Sequence, residues 1–435
     1  MIDGIYISQL DESATPTVKE KKVEFEQLGM IHAKVAGKYE TVKELPKQAD
    51  NIKDVFKYAD AYGKFRLAYI NSAHKISSVP DKEEKSASSF GGEFGFNTAA
   101  YKGFSLHAGI YVSQSVEFVN PPKADRNEDF FARDLDSFAY VAESSIDYRD
   151  DYLGVKIGRV KVDTPYANSD DIRMAANTFE GGWAQYNYTP KLNTQIVYLN
   201  RWAGYDSQDE MAGLYQDEFK NLVDEESFGM LGASLSYEYD ENSEALFWYN
   251  HIEGMSAIAY AEVIGIYFID GYGLHLDYGL QYSNIRELDD SNVAGDVYGA
   301  MSILHYKGAF LGGAYNLAVV EDGKYITDGF GGGPYYTSLD EATLAAISEA
   351  HPGNNAKSFR VGAGYEFLDM PLDGMIVEFV YGELYNDFGR IKEKDAIISY
   401  DFEDMWHVEA LYTSYESSSG KNSFDRALVR VDYSF

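Results

Sequence analysis

The feature that most constrains this chain is an alternation of apolar and polar residues with a period of two. In the last segment, Leu428–Phe435, apolar or aromatic residues occupy every second position, and Arg430, Asp432 and Ser434 lie between them. Side chains of a strand point to opposite faces in turn, so this pattern predicts a strand with one apolar and one polar face. About 18 such segments of roughly ten residues follow one another. They begin near residues 64, 88, 104, 137, 153, 183, 193, 228, 244, 256, 273, 294, 309, 358, 375, 394, 406 and 425.

The connections between these segments are of two kinds. Tight turns follow the even-numbered segments, as at 148–152, 189–193 and 240–244. Long connections follow many odd-numbered segments, at 73–87, 116–136, 161–182, 202–227 and 319–357. A meander with short turns at one end and long loops at the other is typical of a transmembrane barrel. Closure of such a barrel pairs every backbone amide, which hydrocarbon requires.

We therefore predict an all-β fold, a transmembrane antiparallel β-barrel of about 18 strands over residues 61–435. A β-propeller is the structural alternative, but no repeat of blade length is present. Aromatic belts at the membrane interfaces account for the aromatic content of 15% and the 37 tyrosines. No run of 18 apolar residues indicates a membrane-spanning helix. Residues 1–60 predict a periplasmic leader with a short helix near 51–61, or a partly disordered leader.

Charge and cysteine content exclude several classes of function. The chain has 37 basic and 70 acidic residues, a formal net charge of −33. Nucleic acid is therefore not a partner, because two polyanions repel. The absence of cysteine excludes disulfides, thiol nucleophiles and thiolate-bound metals. No sequence motif of a catalytic or cofactor site is present, so we expect no enzyme activity, cofactor or metal.

The connection from 161 to 182 is the most specific functional feature. Pro165 predicts a turn, and Ser169 with the two acids after it predicts the start of a short helix. In a barrel, a loop of this length that is partly apolar is expected to fold onto the inner wall and narrow the pore. The predicted pore constriction is formed by Asp163, Asp170, Asp171, Arg173 and Glu180. The alternative is a solvated outer loop whose charges only keep it soluble.

Several short motifs resemble the OprD family of outer-membrane porins, and more particularly members from Campylobacter-related bacteria. They are Gly158-Arg159, Asp163-Thr164-Pro165, Ser169–Met174, Asn177–Glu180, Gly331–Tyr336 and Leu339–Leu344. The resemblance implies an 18-stranded barrel, often trimeric, that passes small solutes such as amino acids, peptides or carboxylates. It also implies a third outer loop folded into the lumen, where Asp163–Glu180 would lie.

The polar faces of the predicted strands supply the lumen wall. Its candidate residues are Arg66, Lys156, His275, Asp277, Arg360, Glu366, Glu378, Glu409, Arg430 and Asp432. Porins of the resembled family have a ladder of arginines, whereas the basic residues here, Arg426 included, are scattered along the sequence. His275 with Asp277, and His407 with Glu409, are two residues apart, which favours a polar wall over a pair of metal ligands.

Two further segments give expectations about loops and assembly. Ser338-x-x-Glu341 is a capping box that predicts a helix over Leu339–Ala350 in the 319–356 connection. We expect this connection to be an external loop, with a helix that covers or enters the pore mouth as the alternative. Tyr433 and Phe435 end the alternating last strand and resemble the signal read by the outer-membrane assembly machinery.

The sequence thus predicts a porin in the outer membrane of a Gram-negative bacterium, through which small hydrophilic solutes and ions diffuse passively. The net charge predicts a preference for cations. Expected partners are outer-membrane lipid and lipopolysaccharide, the assembly machinery, the solutes and two further copies in a homotrimer. A structural or adhesive barrel with a closed lumen is the main alternative, and a barrel enzyme is the other.

Overall fold

A computed structural model of the chain describes residues 48–75, 83–132, 135–207, 219–220, 226–227, 229–269, 273–368, 372–403, 405–418 and 423–435. Most of the predicted leader, residues 1–47, lies outside the described residues. The part of the leader that is described contains helix α1 (Ile52–Lys57). Its N-cap is Asn51, whose side chain accepts hydrogen bonds from the backbone of Lys53 and Asp54.

Eighteen strands form one sheet. They are β1 (Asp60–Lys75), β2 (Glu83–Asn97), β3 (Phe104–Ser115), β4 (Phe138–Arg149), β5 (Leu153–Val160), β6 (Thr178–Thr189), β7 (Leu192–Ala203), β8 (Met230–Asp240), β9 (Ser243–Ile252), β10 (Ser256–Ile269), β11 (Leu274–Glu287), β12 (Gly295–Tyr306), β13 (Ala309–Val319), β14 (Ala356–Glu366), β15 (Met375–Tyr385), β16 (Arg390–Phe402), β17 (Trp406–Ser417) and β18 (Ser423–Ser434). Every predicted strand is present. The largest differences in starting residue are at β2 and β6, which begin at Glu83 and Thr178 rather than near 88 and 183.

The sheet closes on itself through its first and last strands. Strand β1 pairs antiparallel with β2 on one side and with β18 on the other. The closing ladder runs from Lys64 opposite Ser434 to Lys75 opposite Ser423. All other pairs join neighbours in the chain, also antiparallel. A closed barrel has no edge strand, and each strand of the described sheet pairs with a neighbour on both sides.

The barrel has its apolar face outside. On β1, Phe65, Leu67 and Tyr69 are 40 to 52% exposed, whereas Arg66 between them is 1% exposed. Such a surface suits a hydrocarbon solvent and would be unfavourable in water. Among the described residues, no helix is long and apolar enough to cross a membrane.

One end of the barrel has tight turns and the other has most of the long loops. The turn between β12 and β13 consists of Lys307 and Gly308 alone, both with positive φ (49° and 83°). A Cβ on Gly308 would lie 2.2 Å from the carbonyl oxygen of Glu366, so glycine is required there. The start of β1 and the end of β18 lie at this same end, which in bacterial barrels faces the periplasm.

Candidate functional site: two loops inside the barrel

The loop between β5 and β6, residues 161–177, is called the crossing loop. It begins with a small hairpin in which Asp163–Thr164 pairs with Ala167–Asn168 around the predicted turn at Pro165. The hydroxyl of Ser169 accepts a hydrogen bond from the backbone N–H of Val162 at 2.9 Å. Ser169 therefore closes the hairpin, and the residues after it form bends. The predicted short helix at this position is wrong.

One end of the crossing loop is anchored to the basic face of the closing strands. The carboxylate of Asp171 accepts hydrogen bonds from Lys64 Nζ at 2.5 Å and from Arg66 Nη1 and Nη2 at 2.5 and 2.9 Å. Arg66 also donates to Asp432 at 2.8 and 2.6 Å, and to the carbonyl oxygen of Arg173 at 2.7 Å. All five N–H groups of this buried guanidinium are thereby used. Arg430 adds a bond of 2.5 Å to the carbonyl oxygen of Asp171.

The charges at this anchor keep Asp171 ionised. Burial alone would raise the pKa of the Asp171 carboxyl, but the cations of Arg66 and Lys64 outweigh burial and hold the pKa well below its usual range. The carboxylate is 18% exposed and Arg66 only 2%, so solvent screens the pair weakly. The anchor is therefore a desolvated, charge-assisted contact rather than a surface ion pair.

The other end of the crossing loop reaches the far wall. The hydroxyl of Tyr166 lies 2.5 Å from the hydroxyl of Ser283 on β11 and 3.3 Å from that of Tyr335. In an 18-strand ring, β11 lies ten strands from β1 in one direction and eight in the other. The loop thus spans the lumen from the β1–β18 wall to nearly the opposite side, as predicted for a loop folded into the barrel.

The loop between β13 and β14, residues 320–355, is called the lining loop because it follows the wall. Its contacts extend around the barrel from β10 to β16. Tyr336 OH donates to Glu262 on β10 at 2.6 Å, and the side chain of Gln281 on β11 donates to the Pro334 carbonyl at 2.9 Å. Further along, Thr337 donates to Asn316 on β13 at 3.1 Å, and the N–H groups of Glu341 and Ala342 donate to Glu393 on β16 at 3.0 and 2.8 Å. The expectation of an external loop is therefore wrong. Buried acceptors on the wall draw the segment inward.

The helix in the lining loop is shorter than predicted. Helix α2 spans Leu344–Glu349, and its N-cap is Thr343, whose hydroxyl accepts from Ala346 N at 3.2 Å. The capping box predicted at Ser338 does not form. The Glu341 N–H, which the box would bond to the Ser338 hydroxyl, donates to Glu393 at 3.0 Å, and the Glu341 carboxylate accepts from Arg173 at 2.8 Å. Contacts with the wall and with the crossing loop therefore replace the local cap.

A cluster of charges joins the two loops. Arg173 of the crossing loop lies 3.2 Å from Asp129 and 2.8 Å from Glu341 of the lining loop. Arg426 on β18 contacts both Asp340 and Glu341. Burial would raise the pKa of the Asp340 carboxyl, but the two arginines lower it below its usual range. Sequence reasoning predicted Arg173 here but missed its acidic partners.

The basic lumen residues are more organised than the sequence suggested. Lys64 and Arg66 lie on β1, and Arg426 and Arg430 lie on the neighbouring β18. Arg430 donates to Glu409 on β17 at 3.1 Å. Barrel closure brings these residues together as one group, called the basic row. Their apparent scatter reflected only the distance between the two chain ends.

Most predicted constriction residues lie in the crossing loop, but Glu180 does not. Asp163 accepts from Ser169 N at 3.3 Å, and Asp170 is buried beside Asp171. Glu180 lies on β6, 3.3 Å from Arg159 and 3.9 Å from Arg201. Its neighbour Phe179 is fully buried, so alternation turns Glu180 to the outer face of the wall.

The predicted wall residues occupy two levels. Six are buried at 4% exposure or less beside the two loops: Arg66, Arg360, Glu378, Glu409, Arg430 and Asp432. The other four, Lys156, His275, Asp277 and Glu366, are partly exposed and belong to the half of the barrel with the tight turns. His305, which the sequence analysis did not select, lies with His275 and Asp277.

The C-terminal residues lie at the closing ladder. Phe435 exchanges backbone hydrogen bonds with Gly63 at 3.0 and 3.1 Å, and its ring centroid is 5.7 Å from that of Phe65. The ring of Tyr433 lies 4.8 Å from that of Trp406. Both aromatic residues therefore take part in closure, and their role as an assembly signal stays a prediction.

Comparisons with known proteins agree with this architecture. A family model described as outer membrane porin, OprD family, matches residues 130–383, which is 254 of the 435 residues. Comparison with curated protein sequences gives no match.

Solved structures of Pseudomonas aeruginosa proteins share the fold at low sequence identity. OpdK is 16% identical with a TM-score of 0.73, and OccK9 (OpdG) is 14% identical with a TM-score of 0.74. Both matches cover 88% of this chain and 99% of the other. OccAB4 of Acinetobacter baumannii is 16% identical with a TM-score of 0.68, over 87% and 98% of the two chains.

The family match covers more than half of the chain, and the closed 18-strand antiparallel barrel is the fold of those structures. The protein is located in the outer membrane of a Gram-negative bacterium, where the members of this family act as channels for small solutes. The chain belongs to the OprD family of outer-membrane porins.

Proposed function

We propose that this porin lets small hydrophilic solutes and ions diffuse passively down their gradients, with a preference for cations. The observation that carries the proposal is the position of the crossing loop, which spans the lumen from the basic row to β11. A solute that passes the loop meets the partly exposed Asp171 carboxylate, whereas Arg173 is buried and holds the loop in place. Selection is then by size and electric field.

The preference for cations is supported by the distribution of charge around the loops. Each cation of the basic row contacts an acid, so the row is largely neutralised. The chain as a whole carries a formal net charge of −33, and an acidic pore raises the local concentration of cations and repels anions.

The same argument bears on carboxylate substrates. One of the similar structures is that of OpdK with vanillate, which is a small aromatic carboxylate. In this chain, Arg66 is occupied by Asp171 and Asp432, and Arg430 by Glu409. A carboxylate solute would have to displace these acids to bind the same guanidinium groups. We therefore do not extend carboxylate specificity to this porin.

The test is single-channel recording of the refolded protein in a planar bilayer under a KCl gradient. Stepwise conductance with a reversal potential that favours K⁺ is the expected result. A reversal potential that favours Cl⁻ would contradict the cation preference, and Arg66 and Arg430 would then be the residues to examine first.

A closed structural or adhesive barrel is the second candidate. Both loops lie deep in the lumen, with Tyr166 fully buried and Tyr335 only 4% exposed, which favours a filled interior. Absence of conductance steps from a folded, heat-modifiable barrel would support this candidate over the channel.

Four finer features also belong to the proposal. They are assembly as a homotrimer, recognition of Tyr433 and Phe435 by the outer-membrane assembly machinery, contact with lipopolysaccharide, and a particular resemblance to members from Campylobacter-related bacteria. Chemical cross-linking in native outer membranes tests the trimer, because a monomeric porin gives no band at three times the chain mass. Removal of Phe435 tests the assembly signal through the amount of folded barrel in the membrane.

A further inference from the structure

Two histidines and an aspartate meet on the lumen face near the tight-turn end. His275 is the second residue of β11, and His305 is the next-to-last residue of β12. The strand register places them directly opposite each other. Asp277 is two residues further along β11, on the same face as His275. The group thus occupies two adjacent strands whose separation is fixed by backbone pairing.

The three side chains are close enough to share one ligand. The imidazole rings are stacked, with centroids 4.4 Å apart and planes at 9°. His305 Nε2 lies 3.1 Å from Asp277 Oδ2. One donor atom from each residue can be chosen so that all three lie within 4.8 Å of one another. Asp277 Oδ1 is buried and accepts no hydrogen bond from the residues that the structure describes.

The surroundings suit entry of an ion from the periplasmic side. The His305 and Asp277 side chains are 16% and 21% exposed, so water reaches them. Phe268 and Phe310 flank the two imidazoles, with ring centroids 5.7 and 5.8 Å away. A polar pocket between aromatic walls holds its ligands in place and leaves a position open to water.

We propose that His275, Asp277 and His305 bind a divalent transition-metal ion such as Zn²⁺ at the periplasmic mouth of the lumen. Two imidazole nitrogens and one carboxylate form a donor set typical of zinc, whereas Ca²⁺ and Mg²⁺ prefer oxygen ligands throughout. Bond lengths of about 2.1 Å place tetrahedral ligand atoms about 3.4 Å apart. The side chains therefore need to approach one another by roughly 1 Å, and a water completes the coordination.

The competing interpretation is that these residues only form a polar wall. In that case the hydrogen bond between His305 and Asp277 and the stacked rings account for the arrangement without any ion. The two interpretations differ in one measurable property, which is affinity for zinc that depends on both histidines.

The experiment is isothermal titration of the folded, tag-free protein in detergent micelles with zinc chloride. The variants are His275→Gln and His305→Gln, and the matched control is His251→Gln, because His251 is exposed on β9 outside this group. We expect one zinc ion per chain for the parent and the control, and at least tenfold weaker binding for each of the two variants. Excess Mg²⁺ should leave the zinc affinity unchanged.

Zinc binding that is equal in all four proteins, or absent from the parent, would overturn the proposal. Asp277→Asn retains the shape of the aspartate and provides a third variant, which should also weaken binding. Heat modifiability on gels confirms that each variant is folded. The titration is independent of conduction, so failure of the channel proposal would leave this result standing, and the reverse also holds.

Discussion

The crossing loop and the lining loop both fold into the lumen, but different forces hold them. The crossing loop is fixed by charge: Asp171 binds Lys64 and Arg66, and Arg173 binds Glu341. The lining loop contributes Asp340 and Glu341 to the charge cluster, but along the rest of its length neutral donors to wall acceptors and buried apolar side chains such as Leu344 hold it. We therefore expect the crossing loop to set the electric field of the pore and the lining loop to set its width.

The largest effect is expected from Arg66→Ala. This change removes five donors at once and leaves Asp171 and Asp432 without their main cation, both of them largely buried. Breaking a buried ion pair costs about 3–5 kcal/mol. Denaturant unfolding of the refolded barrel in lipid measures the loss. Arg66→Lys is the control, and it should recover part of the stability, since it keeps the charge but not the fork of donors.

Asp171→Asn should change selectivity more than any lining-loop substitution. The amide keeps the shape of the side chain but removes a negative charge from a position beside three cations. We expect the reversal potential to move toward Cl⁻, together with a loss of about 2–3 kcal/mol for charge-assisted hydrogen bonds. An unchanged reversal potential would show that the crossing loop does not set the field.

The difference in reversal potential between the parent and Asp171→Asn should depend on pH in a way that follows from the lowered pKa of the Asp171 carboxyl. A depressed pKa means that the carboxylate contributes stability at all pH values above about 3.9, its value in the unfolded chain. The contribution is lost only as pH falls from there through the folded pKa. The gap in selectivity between the parent and Asp171→Asn should therefore persist from pH 7 to pH 5. If the difference in selectivity disappeared by pH 5, the pKa of the Asp171 carboxyl in the folded protein would be much higher than proposed.

Tyr336→Phe tests the lining loop. It removes the 2.6 Å hydrogen bond to Glu262 and keeps the aromatic ring. We expect a loss of about 1–2 kcal/mol in the free energy of unfolding. Single-channel recordings should show a change in conductance or noise with little change in ion preference. A large shift in reversal potential would contradict the division of roles between the loops.

Glu180→Gln should have the smallest effect. Its partners Arg159 and Arg201 are 33% and 39% exposed, and ion pairs of this kind contribute less than about 1 kcal/mol. Conductance and reversal potential should equal those of the parent. A clear change in selectivity would return Glu180 to the constriction, where the sequence analysis had placed it.

The strands and their faces were predictable because the signal is local. The alternation of apolar and polar residues within a strand predicts which of its residues face the lumen, and Arg430 and Asp432 were predicted in this way. The alternation of short turns and long loops between the strands then predicted a barrel, and no tertiary contact was needed for that prediction.

The loop partners were not predictable because their contacts are remote in sequence. Arg173 and Glu341 are separated by 168 residues, and no local pattern links them. The capping box at Ser338 fails for the same reason, since the N–H and the carboxylate of Glu341 bind the remote residues Glu393 and Arg173. His305 was missed because its relation to His275 depends on the register of two strands.

The basic row also links barrel closure to the docking of the crossing loop. Arg66 and Asp432 are 366 residues apart, and their strands become neighbours only at closure of the barrel. Strand β1 supplies Lys64 and Arg66 to Asp171, whereas Asp432 and Arg430, which complete this anchor, come from β18. The complete anchor therefore forms only when β1 and β18 pair, so a barrel that fails to close would hold the crossing loop by fewer contacts.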